Sequence, residues 1–165
     1  LLLHDHTGAA PRRVGLNHPG IAPYGAYAAS DGKAVVISIQ NEREWVQFCA
    51  EVLENPGLAT LPGFCNNDAR VANRAALNRE IDAVFSTMTR TGLAARLKEA
   101  RIAYGALNSV ADFSAHPQLR RMTVDSPAGP VELVASPVRT DSQAVRPAPI
   151  PEIGAHSEAI RAEFG

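Results

Sequence analysis

The 165-residue chain is 45% hydrophobic and 20% charged, with a formal net charge of −1. That is enough apolar material for one compact core, and the near-neutral balance argues against a nucleic-acid binder, which would carry a basic face. No apolar run approaches the roughly 20 residues that span a bilayer, so no membrane partner is expected.

The opening Leu1-Leu2-Leu3 is too short for a signal peptide and has no basic region before it; it reads as the end of a helix. His4-Asp5-His6 lacks a neighbouring His or Cys that would complete a metal site, so residues 1–16 read as a solvated linker and no metal is expected. Asn17-His18-Pro19-Gly20-Ile21-Ala22-Pro23-Tyr24-Gly25-Ala26-Tyr27 follows. Pro19 and Pro23 each fix a φ angle and remove a donor, while Gly20 and Gly25 permit conformations that other residues resist. This stretch is read as a shaped loop. Composition leaves two roles open for it: a surface cap on the next strand, or a wall that turns His18 and Tyr24 toward a ligand or another domain.

After a Ser30-Asp31-Gly32 turn, Ala34–Ile39 reads as a strand, buried on both faces because it scarcely alternates. Asn41 is the expected N-cap of a helix running to about Leu53, with Glu44 completing a capping box. Trp45, Phe48, Cys49, Val52 and Leu53 form its apolar stripe, so Cys49 reads as a buried small hydrophobe and not a nucleophile. Asn55-Pro56-Gly57 ends the helix, and Asn66-Asn67-Asp68 caps the next one.

Helical signal then runs from Ala69 to about Met88, with Leu77, Ile81, Val84, Phe85 and Met88 inward. Arg70, Asn73, Arg74, Arg79 and Glu80 read as solvated polar faces. A third helix is expected from Thr91 to Arg101, then an extended piece at Ile102–Asn108. Ser109 and Asp112 cap a brief helix, and a helical turn is expected around Gln118–Arg121. Met122–Val124 and Val131–Val134 bracket a proline-glycine turn and read as a hairpin. The proline-rich residues 135–155 read as an extended crossover, before a last helix from Glu158 to Phe164 with Ile160 and Phe164 facing inward.

The fold class read from these elements is α/β, a small core in residues 28–108 flanked by tails. The chain contains no Gly-x-Ser-x-Gly elbow, no Walker pattern and no Gly-x-Gly-x-x-Gly. Its two cysteines, Cys49 and Cys65, lack metal-ligand spacing and are expected to be free thiols in a cytoplasmic protein.

Several signatures together resemble the family III CoA-transferases, the group that includes formyl-CoA transferase, the carnitine and bile-acid CoA-transferases and α-methylacyl-CoA racemase. The resemblance rests on Asn17–Tyr27, Asp31-Gly32 with its Val/Ile strand, and Asn41-Glu42-Arg43-Glu44-Trp45. It continues through Asn67-x-x-Arg70-x-x-Asn73-Arg74, Ile102–Asn108, His116-Pro117-Gln118-Leu119, Arg146–Pro149 and Ile153-Gly154-x-His156-Ser157-x-x-Ile160.

Family members are more than twice as long, and the matching residues correspond to their C-terminal part. The resemblance implies a linker at 1–19, a small α/β domain at 20–108, and a returning linker, hairpin and C-terminal helix at 109–165. In whole enzymes the terminal segments join a Rossmann-like large domain, and two chains interlock as a homodimer. It also implies a relay in which an aspartate attacks an acyl-CoA thioester to give a mixed anhydride, which CoA thiolate converts to an enzyme thioester.

That aspartate matches none of Asp5, Asp31, Asp68, Asp82, Asp112, Asp125 or Asp141, so no catalytic residue is expected within this segment. Coenzyme A enters as a substrate, with a small carboxylic acid, and no tightly bound cofactor is implied. The expected substrate-binding residues are Asn17, His18, Gly20, Tyr24 and Gly25. In formyl-CoA transferase a glycine-rich loop at about this position acts as a lid; here Gly20 and Gly25 are present without a glycine tract, so the location carries over and the lid motion does not. Two alternatives stay open: an acyl-CoA racemase of the same family, or a free-standing non-catalytic binding module whose contact surface is the Tyr24/Tyr27 loop.

Overall fold

The computed structural model describes residues 1–10, 13–138 and 147–165. Asp141, Arg146 and the middle of the expected 135–155 crossover lie outside the described residues. The chain divides into two compact units, Leu1–Leu107 and Asn108–Gly165.

The first unit opens with a short helix, α1 (Leu2–Thr7), which begins on the leucines read as the end of a helix and runs four residues further. Its centre is a three-stranded antiparallel sheet of β1 (Tyr24–Ala28), β2 (Ala34–Ser38) and β3 (Tyr104–Ala106), with β2 in the middle. Tyr24 pairs with Ser38 and Tyr27 with Val35, which draws the end of the expected loop into a strand. Gly32 turns the hairpin with φ +72°, a left-handed value that glycine adopts without steric cost. β2 alternates after all. Val35 and Ile37 are buried, while Ala34, Val36 and Ser38 are only partly covered. An antiparallel sheet covered on one face has this pattern; burial on both faces belongs to parallel strands.

Asn41 caps α2 (Glu42–Gln47), its Oδ1 accepting the Glu44 N–H at 2.9 Å. Glu44 accepts the N–H of Gln40 at 2.9 Å, one residue beyond the N-cap N–H that the expected box would use. The helix then widens to a π-helical turn at Phe48–Val52, so Trp45, Phe48, Cys49, Val52 and Leu53 all reach the core. A 3₁₀ turn, Pro56–Thr60, leads to α3 (Asn67–Ala72), capped by Asn66. The chain kinks at Asn73 into α4 (Arg74–Phe85), where one long helix was expected. Leu77, Ile81 and Phe85 are fully buried, with Val84 and Met88 packed against them. α5 (Arg90–Glu99) buries Leu93 and Leu97 and packs against β2 and β3.

In the second unit, Ser109 and Asp112 form the expected capping box of α6 (Val110–Ser114). Pro117 and Gln118 make a turn, and Arg121 already belongs to a strand where a helical turn was expected. β4 (Arg121–Val124) pairs with β5 (Val131–Val134) across a Ser126–Gly129 turn, Gly129 taking φ +109°. The last helix, α7 (Ser157–Phe164), exposes Ile160 and Phe164, contrary to the inward face assigned from spacing. Helical periodicity identifies an apolar stripe; what covers that stripe depends on the rest of the fold.

Candidate functional site

The Asn17–Pro23 segment precedes β1 and has few backbone partners of its own. A backbone N–H or C=O left unpaired away from water is costly, so the accounting of these groups shows how the segment is held. The His18 N–H donates to the Tyr24 carbonyl at 2.9 Å, and the Gly20 N–H donates to Nδ1 of the His18 ring at 3.1 Å. The imidazole stacks on the Tyr24 ring with centroids 5.3 Å apart and an interplanar angle of 19°.

Five further backbone groups are met by three side chains from α3 and the start of α4. Asn67 Nδ2 donates to the Gly20 carbonyl at 2.9 Å, and its Oδ1 accepts the Ala22 N–H at 3.2 Å. Arg70 Nε donates to the Ala22 carbonyl at 2.7 Å. Arg74 Nη2 donates to the carbonyls of His18 at 2.7 Å and Ile21 at 2.9 Å. Asn67 and Arg70 from α3 and Arg74 from the first turn of α4, on either side of the Asn73 kink, grip the loop together.

Arg70 is 1% exposed, where the sequence suggested a solvated face. Its guanidinium meets Glu42 with two hydrogen bonds, Nη1 to Oε2 at 2.8 Å and Nη2 to Oε1 at 2.9 Å, and donates to the Phe64 carbonyl at 3.1 Å. It also lies 4.9 Å from the Trp45 ring centroid, within cation–π range. A buried guanidinium needs this much compensation, since an unpaired one would carry a large desolvation cost. The hydrogen bonds from Arg70 hold the Glu42 carboxyl below its ordinary value, although Glu42 keeps about half its side chain in water.

The two glycines have different roles from those expected. Neither Gly20 nor Gly25 has a positive φ. Gly25 is buried, and a Cβ there would collide with Oδ1 of Asn17; close approach requires the glycine. Asn17 is itself fixed by a 3.2 Å bond from Nδ2 to the Val14 carbonyl.

Tyr24 and Tyr27 fall on opposite faces of β1. Tyr27 is core: 4% exposed, packed edge-on against Phe85, and donating to Asn78 Oδ1 at 3.1 Å. Burial pushes its phenol up to about 12, and the nearby Arg74 charge opposes that rise. A contact surface made of both tyrosines is therefore excluded. Half-buried Tyr24 remains with His18.

With Nδ1 accepting from Gly20, the neutral His18 ring carries its proton on Nε2. Nε2 and the Tyr24 hydroxyl have no protein partner among the described residues, so the site offers two adjacent donors. It offers no nucleophile. Cys49 is fully buried, with its thiol pushed up to about 12 by desolvation, and no trio of His, Cys, Asp or Glu suited to a metal occurs among the described residues. The arrangement suits an oxygen acceptor such as an acyl carbonyl or a carboxylate. The five expected residues, Asn17, His18, Gly20, Tyr24 and Gly25, are brought together. Asn67, Arg70 and Arg74 were missed as their holders, although their three-four spacing was legible.

The model of the family described as CoA-transferase family III matches residues 1–157. The chain is 30% identical over 167 residues to an acetyl-CoA:oxalate CoA-transferase of Acetobacter aceti, covering 99% of this chain and 42% of that protein. It is 32% identical over 138 residues to a succinyl-CoA:mesaconate CoA-transferase of Haloarcula hispanica, covering 80% of this chain and 34% of that protein. A CAIB/BAIF family protein from Brucella suis superimposes with a TM-score of 0.74 at 34% identity, covering 99% of this chain and 43% of that one. The chain thus spans less than half the length of these relatives.

Proposed function

Since the chain belongs to CoA-transferase family III, we propose that it is the C-terminal, small-domain portion of an enzyme that moves CoA from an acyl-CoA thioester to a small carboxylic acid. The linker at 1–19, the small domain at 20–108 and the returning segment at 109–165 are part of this reading, as are an interlocked homodimer and a cytoplasmic setting. The nucleophile is an aspartate in the portion upstream of Leu1. Its carboxylate attacks the thioester, forming an anhydride and expelling CoA thiolate. The thiolate then attacks the anhydride at the aspartyl carbonyl, releasing the first acid. The incoming acid displaces the thiolate to form a second anhydride, and the thiolate's return to the new acyl carbon frees the aspartate. Covalent relay divides one difficult exchange into easier steps.

The observation that carries this chain's part in it is the His18–Tyr24 stack, with Nε2–H and a phenol left as donors on a loop held by side chains. Asn17, His18, Gly20, Tyr24 and Gly25 form a wall of the acyl pocket. His18 and Tyr24 bond the oxygens of the acid or anhydride, while Gly25 and Asn17 set the backbone path. The acid is a small dicarboxylate. Oxalate and mesaconate, named for the two relatives above, each carry two carboxylates, and donors on this loop suit the second one.

Mass spectrometry of exchange tests the division of labour. The full-length polypeptide carrying this chain should transfer CoA between acyl-CoA donors and small dicarboxylic acids, and the present chain alone should not. Turnover by the chain alone, abolished by replacing one of its own aspartates, would overturn the assignment.

A further inference from the structure

Arg74 is connected in an unusual way for a half-buried cation. Its Nη2 hydrogens are used on two backbone carbonyls, those of His18 and Ile21, which flank Pro19-Gly20. It makes no ion pair with a carboxylate among the described residues, and its Nη1 is buried without a hydrogen-bond partner. Its neighbour Arg70, four residues earlier, is fully paired with Glu42. A neutral side chain would carry a lower desolvation cost here, so the buried charge and its bridge between two carbonyls call for an explanation.

The other contacts of His18 supply it. Its N–H is taken by the Tyr24 carbonyl, its carbonyl by Arg74, its Nδ1 by the Gly20 N–H and one ring face by Tyr24. Pro19 has no N–H to add, and Gly20 is fixed at its carbonyl by Asn67. The Gly20 N–H meets Nδ1 across Pro19, inside the turn whose two end carbonyls Arg74 bridges. We propose that Arg74 is a positioning residue for the reaction: by bridging the His18 and Ile21 carbonyls it locks the His18 ring in the Nε2–H tautomer, and its charge, which has no ion pair among the described residues, favours a carboxylate at that donor. This rests on the reading of the loop as a wall of the acyl pocket. Arg74 acts through His18 and is not required to touch the substrate.

The test has a spectroscopic arm on this chain and a kinetic arm on the full-length polypeptide. Long-range proton–nitrogen correlation spectra of histidine-labelled chain, at about pH 8.5 where imidazoles are neutral, distinguish the two tautomers. The His18 signal is assigned by its loss in His18→Gln. The wild-type ring should appear as a single Nε2–H tautomer; protonation on Nδ1, or an averaged pair, overturns the proposal even if every variant fails to fold. In Arg74→Gln, whose shorter and neutral side chain stops short of the two carbonyls, the signature should average. Arg74→Lys, which keeps the charge and several donors, should preserve it.

In the kinetic arm, Arg74→Gln should lower kcat/KM for the acid tenfold or more while leaving KM for acyl-CoA within about twofold, and Arg74→Lys should recover most of the loss. An unaltered ring signature in Arg74→Gln alongside an impaired His18→Gln overturns the positioning role alone. An averaged signature in Arg74→Gln alongside full activity in His18→Gln overturns the functional reading beneath it.

Discussion

Nη2 of Arg74 lies 2.7 Å from the carbonyl oxygen of His18, a residue 56 positions earlier in the chain. Together with Asn67 and Arg70 this contact lets side chains of α3 and α4 substitute for the secondary structure that the loop lacks. The stability of the loop should therefore depend on those side chains more than on the loop's own residues.

Arg70 is the first place to check this. Arg70→Met removes the donors that serve the Ala22 and Phe64 carbonyls and releases Glu42. Bonds from a charged donor are worth about 1.5–3 kcal/mol each, and the buried acceptors are left without partners. Urea unfolding should show a loss of about 3 kcal/mol, and a change below about 0.5 kcal/mol would mean that the clamp contributes little.

Glu42 predicts a pH dependence with a definite sign. Its carboxyl is held below the ordinary 4.5 in the folded chain, chiefly by the hydrogen bonds from Arg70. The unfolded chain takes up the proton at higher pH, so the pair stabilises fully above 4.5 and the contribution is lost as pH falls through the lowered folded value. The effect should be modest, because Glu42 is 54% exposed and screened by water. Unfolding measured between about pH 6 and pH 3 should show a shallower acid loss in Glu42→Gln than in the wild type, and parallel curves would contradict this.

Gly25 offers a test of close approach. Gly25→Ala places a methyl against Asn17, which should cost about 1–3 kcal/mol. Asn17→Ala removes the Oδ1 that the methyl would strike, so the double variant should be less destabilised than the sum of the singles. Strict additivity would place the strain elsewhere.

Much of the first unit was legible in the sequence, because its signals are local. The Asn41 and Asn66 caps, the Trp45–Leu53 stripe and the Leu77, Ile81, Phe85 stripe each declare themselves within a few residues. Three features were not. The pairing of Tyr24–Ala28 with β2 follows from a hairpin whose first strand is interrupted by the loop's proline and glycine signals. The burial of Arg70 depends on Glu42, 28 residues away, and on a loop further upstream still. The exposure of Ile160 and Phe164 depends on what lies against them, which periodicity does not report. The candidate site residues were proposed from the loop's composition and from resemblance to a family, whereas the side chains that hold the loop emerge only from three-dimensional contacts.

Cys49 and Cys65 are both free and should differ sharply in reactivity. Cys49 is fully buried, with its thiol pushed up to about 12, whereas Cys65 is exposed. Since the thiolate is the reactive form, a thiol reagent should label the native chain at Cys65 and spare Cys49 until unfolding. Fast stoichiometric labelling at Cys49 would contradict its place in the core.

In the proposed enzyme the His18–Tyr24 pair works on the substrate and does not merely dock the loop. The most direct measurement of this claim is kcat/KM for the acid in full-length His18→Ala and Tyr24→Ala, taken alongside melting temperature. Loss of one hydrogen bond to a charged acid or anhydride, about 1.5–3 kcal/mol, predicts a fall of roughly tenfold to more than a hundredfold with the melting temperature little changed. Unchanged kcat/KM with a clearly lowered melting temperature would contradict the claim and remove the loop from the active site.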